Sequence, residues 1–148
     1  MTNSAKIYVA GHKGLVGSTI WRNLTSKGYS NIVTRTHIEQ DLASQTAADA
    51  FFATEKPEYV FLAAATVGGI GANSTYPADF IMENHLIECN IIRSALQHQV
   101  RKLMFLCSSS TYPKHCPQPI KEEYLLSGYL EKTNEAYALA NISGLKMC

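Results

Sequence analysis

A chain of 148 residues, 46% of them hydrophobic and 17% charged, has the length and apolar content of one packed domain spanning 1–148, which excludes a disordered tail or a fibrous repeat. Its formal charge of +1, from 13 basic and 12 acidic residues, provides no field for nucleic acid or an anionic membrane, and leaves room for a small anionic ligand. The four cysteines, Cys89, Cys107, Cys116 and Cys148, show no Cys-x-x-Cys pairing and the five histidines are scattered, so reduced thiols in the cytoplasm are expected in place of a disulfide framework or a metal centre.

The opening residues Met1 to Lys6 lack the apolar core of a signal peptide, and no apolar run approaches the ~20 residues of a membrane span. Lys6 to Ala10 is short, β-rich and stopped by Gly11, the profile of a buried parallel strand. Leu15, Ile20 and Leu24 then fall at helical spacing, predicting a helix over 15–27 that ends at Gly28. A second strand is predicted over 31–34. Ser44 caps a helix over 45–55 that Pro57 terminates, and a third strand follows over 59–65. Phe80, Ile81, Ile87, Ile91, Ile92 and Leu96 mark a long amphipathic helix over 77–99, followed by a fourth strand over 102–108. A polar loop over 111–133 precedes a last helix starting near Asn134.

Strands that alternate with helices at these intervals imply an α/β fold, a doubly wound parallel sheet with right-handed crossovers and helices on both faces. Ligands of such sheets bind outside the carboxyl ends of the strands, where strand order reverses. The expected strand order is 3-2-1-4, with the fourth strand an unpaired edge.

Directly after the first strand stands Gly11-His12-Lys13-Gly14-Leu15-Val16-Gly17, a Gly-x-x-Gly-x-x-Gly run that opens the first helix. Glycine there permits a tight turn, removes the Cβ that would block a pyrophosphate and lets helix and strand approach, while the helix N-terminus offers amides to the anion. After the second strand, where an NAD site places a carboxylate on the ribose, the chain has Thr34-Arg35-Thr36-His37. A guanidinium pairs well with phosphate, so Arg35 with Lys13 favours the 2′-phosphate of NADP.

Four stretches carry a resemblance. The glycine run, Leu62 to Ile70 with Asn73 to Phe80, Phe105 to Lys114 (Phe-Leu-Cys-Ser-Ser-Ser-Thr-Tyr-Pro-Lys) and Leu130 to Ala140 are similar to the GDP-L-fucose synthases, epimerase-reductases of the extended short-chain dehydrogenases, over about Ala5 to Cys148. The resemblance implies a Rossmann-like domain that binds NADP(H) through Gly11 to Gly17, Arg35, Asp41, Leu42, Ala63, Ala64, Ala65 and Asn84. It also implies a GDP-sugar substrate, GDP-4-keto-6-deoxy-D-mannose, epimerised at two carbons and then reduced at the 4-keto group.

For the reduction, the family's Ser, Tyr and Lys map to Ser108, Tyr137 and Asn141, and the epimerising Cys maps to Ser110. Tyr137 is then the proton donor and Ser108 the hydrogen-bond donor to the ketone oxygen. Asn141 cannot replace the cation that keeps the phenol acidic: at ~4 Å and an effective dielectric near 20, such a charge interacts with a phenolate by about 4 kcal/mol. It can still reach a ribose hydroxyl. A serine at 110 is too weak an acid to shuttle protons near neutral pH. Two further departures, Cys107 for a usual Gly and Thr66 for a common Lys, crowd or neutralise the pocket.

The resemblance also implies a smaller C-terminal substrate domain, absent from these 148 residues, and dimerisation through the helices over 77–99 and 134–148. Three readings follow: an impaired synthase, an NADP(H)-binding pseudoenzyme, and a non-catalytic partner forming a homodimer or a dimer with an intact paralogue.

Overall fold

The computed structural model describes residues 1–148 and arranges them as β1 (Ile7–Ala10), α1 (Leu15–Ser26), β2 (Ile32–Val33), α2 (Gln45–Glu55), β3 (Tyr59–Leu62), α3 (Ile70–Thr75), α4 (Pro77–Gln97), β4 (Lys102–Phe105) and α5 (Glu135–Met147). Two compact units divide the chain. One, residues 1–65, 86–106 and 148, contains the whole sheet, and the other holds residues 66–85 and 107–147.

In the first unit all four strands are parallel, with Tyr8 of β1 opposite Val33 of β2 and Val60 of β3, and Val60 in turn opposite Leu103 of β4. The order is β2-β1-β3-β4, which corrects the expected 3-2-1-4. The reason lies in β3, which is apolar on both faces. Val60 and Leu62 join Tyr8, Ala10, Ala48, Phe52, Ile87 and Ile91 in one core cluster, whereas Tyr59 and Phe61 pack with Ile7, Val9 and Leu24 on the other side. Such a strand is stable only in the middle of a sheet with cover on both faces. Two-residue β2 takes the outer position instead, and β4 is the far edge, as expected.

This order places the reversal of winding between β1 and β3. Leu24 of α1 covers one face, while α2 and the Ile87-Ile91-Ala95 stripe of α4 cover the other. The crevice predicted for ligands therefore opens at the carboxyl ends of β1 and β3, the points from which Gly11 and Ala63 continue.

The helix boundaries follow local chemistry. Ser44 Oγ accepts from Ala47 N at 3.3 Å as the N-cap of α2, and Lys56 closes that helix in the left-handed conformation just ahead of Pro57. Gly28 adopts φ +83° past the end of α1 and donates to Thr25 O at 3.0 Å. The strands stop sooner than their apolar runs suggest, β3 at Leu62 and β4 at Phe105, because pairing and not hydrophobicity defines a strand.

In the second unit, α3 is a helix without an apolar period in its sequence. Asn73 holds it, donating from Nδ2 to Gly68 O at 2.9 Å and Gly69 O at 3.2 Å. α5 buries Ala138, Ala140, Asn141, Ile142 and Gly144, and packs against the short turn Ser109–Thr111. The loop expected over 111–133 is stitched by Lys114, whose N donates to Tyr129 O at 2.9 Å and whose Nζ pairs with Glu131 at 2.6 Å. No helix is long and apolar enough to cross a membrane.

Candidate functional site

The three glycines of the first loop do different work. Gly11 sits at φ +80°, and a Cβ there would lie 2.6 Å from Ala63 O and 2.7 Å from Ala64 N, so neither the backbone angle nor the space admits a side chain. A Cβ on Gly17 would overlap the Gly11 carbonyl, so this glycine lets α1 seat against the loop. Gly14 has an ordinary φ of −74°, is exposed, and would meet only Gly11 O, at 3.3 Å. A side chain there asks the Gly11 carbonyl to give by a few tenths of an ångström, far less than at Gly11 or Gly17.

Gly14 is also the N-cap of α1 and supplies no side-chain cap; the first turn contains no acidic residue. The amides of Leu15, Val16 and Gly17 therefore lack the intramolecular acceptor that helix starts usually find. Leu15, 87% exposed, and Val16, 51% exposed, leave that end open to solvent. His12 is half-buried and Lys13 exposed. An uncapped helix end beside a bare Cα fits a pyrophosphate.

Arg35 follows β2 and is more constrained than a solvated arginine. Its Nη1 donates to Thr34 O at 2.8 Å, its Nη2 pairs with Glu55, and its guanidinium lies 5.6 Å from the centre of the Phe51 ring. Nearby, the backbone amide of Thr36 and then its hydroxyl hold the Glu39 carboxyl below the usual range, with Arg35 and Lys13 adding to the effect. Both cations thus act on one patch of surface. Asp41 is exposed and caps its own turn through Oδ1 to Ala43 N at 2.9 Å. The Leu42 side chain belongs to the core, 9% exposed, and its carbonyl accepts from Asn90 Nδ2 at 3.0 Å.

Ala63 continues β3, donating from its N to Ala10 O at 3.1 Å, and Ala64 and Ala65 follow with small side chains and increasing exposure. In the second unit Asn84, 1% exposed, spends both amide hydrogens internally: Nδ2 donates to Thr66 O at 2.9 Å and to Phe80 O at 2.8 Å, and Oδ1 accepts from Thr66 N at 2.9 Å. It therefore fixes the segment after β3 and has no donor left for a ligand. Asn84→Ala is expected to lower stability by about 2 kcal/mol, since it strands a buried amide and carbonyl. Denaturant unfolding checks this; an unchanged midpoint would show that water replaces the amide.

The serine loop after β4 converges on Ser108. Its Oγ accepts from Ser110 N at 3.2 Å and from Ser110 Oγ at 2.9 Å, while its carbonyl accepts from Thr111 Oγ1 at 2.8 Å. With both lone pairs engaged, the Ser108 hydroxyl is left to donate. Thr111, 1% exposed, was invisible to motif reasoning; the signal for it is the Ser/Thr pair three residues apart, a common local hydrogen-bonding spacing. Cys107 is exposed, with Sγ 3.8 Å from Thr111 Oγ1 and 4.0 Å from Asn141 O.

On α5, Tyr137 is half-buried and Asn141 only 3% exposed. The spacing of four puts both on one helical face. Asn141 Nδ2 donates to Tyr137 O at 2.9 Å, which ties one of its two amide hydrogens to its own helix.

Comparison with known proteins adds the following. The sequence model of the NAD dependent epimerase/dehydratase family matches residues 7–148. The chain is 62% identical over 148 residues to "Putative GDP-L-fucose synthase 2" of Arabidopsis thaliana, covering all of this chain and 45% of that protein. It is 52% identical over 143 residues to the GDP-L-fucose synthase of Escherichia coli (strain K12), covering 97% of this chain and 44% of that protein. Among solved structures, MlghC, a GDP-mannoheptose C4 reductase from Campylobacter jejuni with NADP bound, matches with a TM-score of 0.96 and 44% identity, over 100% of this chain and 47% of that one. The chain thus spans less than half the length of these relatives.

Proposed function

The chain belongs to the NAD dependent epimerase/dehydratase family, and on that premise we propose that it is the NADP(H)-binding portion of an epimerase-reductase of GDP-sugars, similar to the fucose synthases and the heptose reductase above. The observation that carries this reading is the division of labour among the glycines. Gly11 and Gly17 admit no Cβ at all, whereas at Gly14 the backbone angle is ordinary and a Cβ would press on one carbonyl alone, Gly11 O at 3.3 Å, beside the uncapped start of α1. A bare Cα that packing dictates so much less than its two neighbours points to a ligand that must come close.

In this reading the amides of Leu15, Val16 and Gly17 hold the pyrophosphate, with His12 and Lys13 flanking it. Arg35 and Lys13 hold the 2′-phosphate. Asp41, the Leu42 backbone and Ala63 to Ala65 border the nucleotide, and Asn84 acts as a positioning residue. When bound, the dinucleotide supplies hydride chemistry to the family reaction. Ser108 donates a hydrogen bond to the ketone oxygen and Tyr137 delivers its phenolic proton there. Ser110 and Asn141 weaken the epimerase and reductase stages respectively, because neither offers the acidity or charge its position requires. Turnover of GDP-4-keto-6-deoxy-D-mannose is therefore impaired. The uncharged amide of Asn141, bonded to its own helix, favours a second reading, an NADP(H)-binding pseudoenzyme.

Met82 and Leu86 on α4, and Leu139 and Leu145 on α5, are exposed apolar residues that suit pairing with a second copy or an intact paralogue. Four cysteines without Cys-x-x-Cys spacing suit the reduced thiols of the cytoplasm. The purified chain is expected to bind NADPH saturably, as a dimer, in a fluorescence titration monitored alongside light scattering. Fluorescence that rises only linearly with NADPH would sink the nucleotide reading, and a monomer at all concentrations the pairing.

A further inference from the structure

Glu55, the last residue of α2, has both carboxylate oxygens engaged: Oε1 accepts from Arg35 Nη2, and Oε2 from Lys6 Nζ at 3.3 Å. Its partner Arg35 is also tied by Nη1 to Thr34 O at 2.8 Å and rests over Phe51, whose ring centre is 4.4 Å from that of Tyr8. Tyr8 is 1% exposed, so the platform beneath the guanidinium is part of the core. Arginine carries five N–H donors, of which these contacts use two. The rest are free to meet a group arriving from solvent.

A carboxylate against an arginine has two opposite effects on an incoming phosphate. It partly cancels the positive charge, and it removes in advance the rotamer freedom the arginine would lose on binding. Lys6 decides between them. Its ammonium matches the Glu55 charge, so the Lys6-Glu55-Arg35 group carries a net positive charge and the ordering is gained with little electrostatic penalty. The side chains of the three are 31%, 20% and 36% exposed, sheltered enough to be held and open enough to be reached.

We propose that Glu55 is the positioning residue that makes this chain prefer NADP(H) to NAD(H), by holding the Arg35 guanidinium over Phe51 with its remaining donors facing the 2′-phosphate. The proposal rests on the reading that Arg35 takes that phosphate. Glu55 lies outside the glycine loop and the Thr34–His37 segment, and no pattern in the chain singles out its pairing with Lys6 and Arg35.

The test is the ratio of NADH to NADPH dissociation constants, from fluorescence titration of the intact chain and its variants. Glu55→Ala is expected to weaken NADPH about tenfold while leaving NADH within about twofold. Glu55→Gln, which keeps an acceptor oxygen for Arg35, is expected to restore most of the ratio. A purely structural role would lower both affinities together. If Arg35→Ala collapses the ratio and Glu55→Ala leaves it unchanged or raises it, Glu55 is not the positioning residue and the proposal is overturned. If Arg35→Ala itself leaves the ratio unchanged, the 2′-phosphate reading fails and takes the proposal with it. Should Glu55→Ala lose NADH binding as well, Glu55→Asp decides: its carboxylate is withdrawn by one methylene, a reduced ratio supports the proposal, and the parental ratio overturns it.

Discussion

Gly11→Ala is expected to cost about 3 kcal/mol of folding stability, whereas Gly14→Ala costs less than about 1 kcal/mol and weakens NADPH binding at least about tenfold. The two substitutions add the same methyl group three residues apart. At Gly11 that methyl meets a left-handed backbone and two main-chain atoms of the Ala63–Ala64 link, at 2.6 and 2.7 Å, which continue directly from β3 and cannot swing aside as a side chain would. Both penalties fall on the folded state, and β1 or β3 must shift to relieve them. At Gly14 the backbone is ordinary and the nearest obstacle is one carbonyl oxygen at 3.3 Å, which has to give by only a few tenths of an ångström. The methyl then occupies the space beside the uncapped amides of α1, where the pyrophosphate has to sit. Thermal unfolding and NADPH titration of both variants measure the two effects separately. If Gly14→Ala bound NADPH as tightly as the parent, the bare Cα would lack a ligand-based explanation and the main support for nucleotide binding would be gone.

The glycine loop was readable in the sequence because three constraints overlap there: a strand end, a turn and a helix start each leave their own residue signature. The periodicity of α4 was plain in part: Phe80, Ile87 and Ile91 of the predicted stripe are buried, whereas Leu96 is 80% exposed and Ala95 takes the core position beside it. Strand order was not, because it is decided by which strand is apolar on both faces. Single residues along β3 look the same whether it lies inside or outside the sheet. Among the site residues, Ser108, Tyr137 and Asn141 could be placed by likeness, but the use of their hydrogen bonds could not. The sequence allows Asn141 to reach a ribose hydroxyl, and the folded helix takes one of its two amide hydrogens for the Tyr137 carbonyl. Asn84 likewise reads as a ligand contact and folds as a brace for Thr66. Glu55 lies beyond any local pattern, since its partners Arg35 and Lys6 are 20 and 49 residues away.

That distinction gives the second large effect. In a fusion where the E. coli relative supplies the region after residue 148, Asn141→Lys is expected to raise ketone reduction by about 10²-fold, with the NADPH KM within about threefold. The asparagine is 3% exposed and stops at its own helix turn, so nothing on that face carries a charge toward the phenol of Tyr137. A lysine stem is long enough to pass that turn and bring an ammonium alongside. At an effective dielectric near 20 the attraction between ammonium and phenolate reaches about 4 kcal/mol at ~4 Å, and retaining some two-thirds of it corresponds to about a hundredfold in rate. The gain falls on kcat because the phenolate exists only as the proton leaves. It comes at a cost, since an ammonium brought into a nearly closed position loses hydration, and the melting temperature is expected to fall. Asn141→Met separates charge from reach: it extends past the helix turn without a cation, and is expected to remain as slow as the parent. Equal rates in the lysine and methionine variants would place the defect elsewhere, with Ser110 or Cys107 the next residues to change.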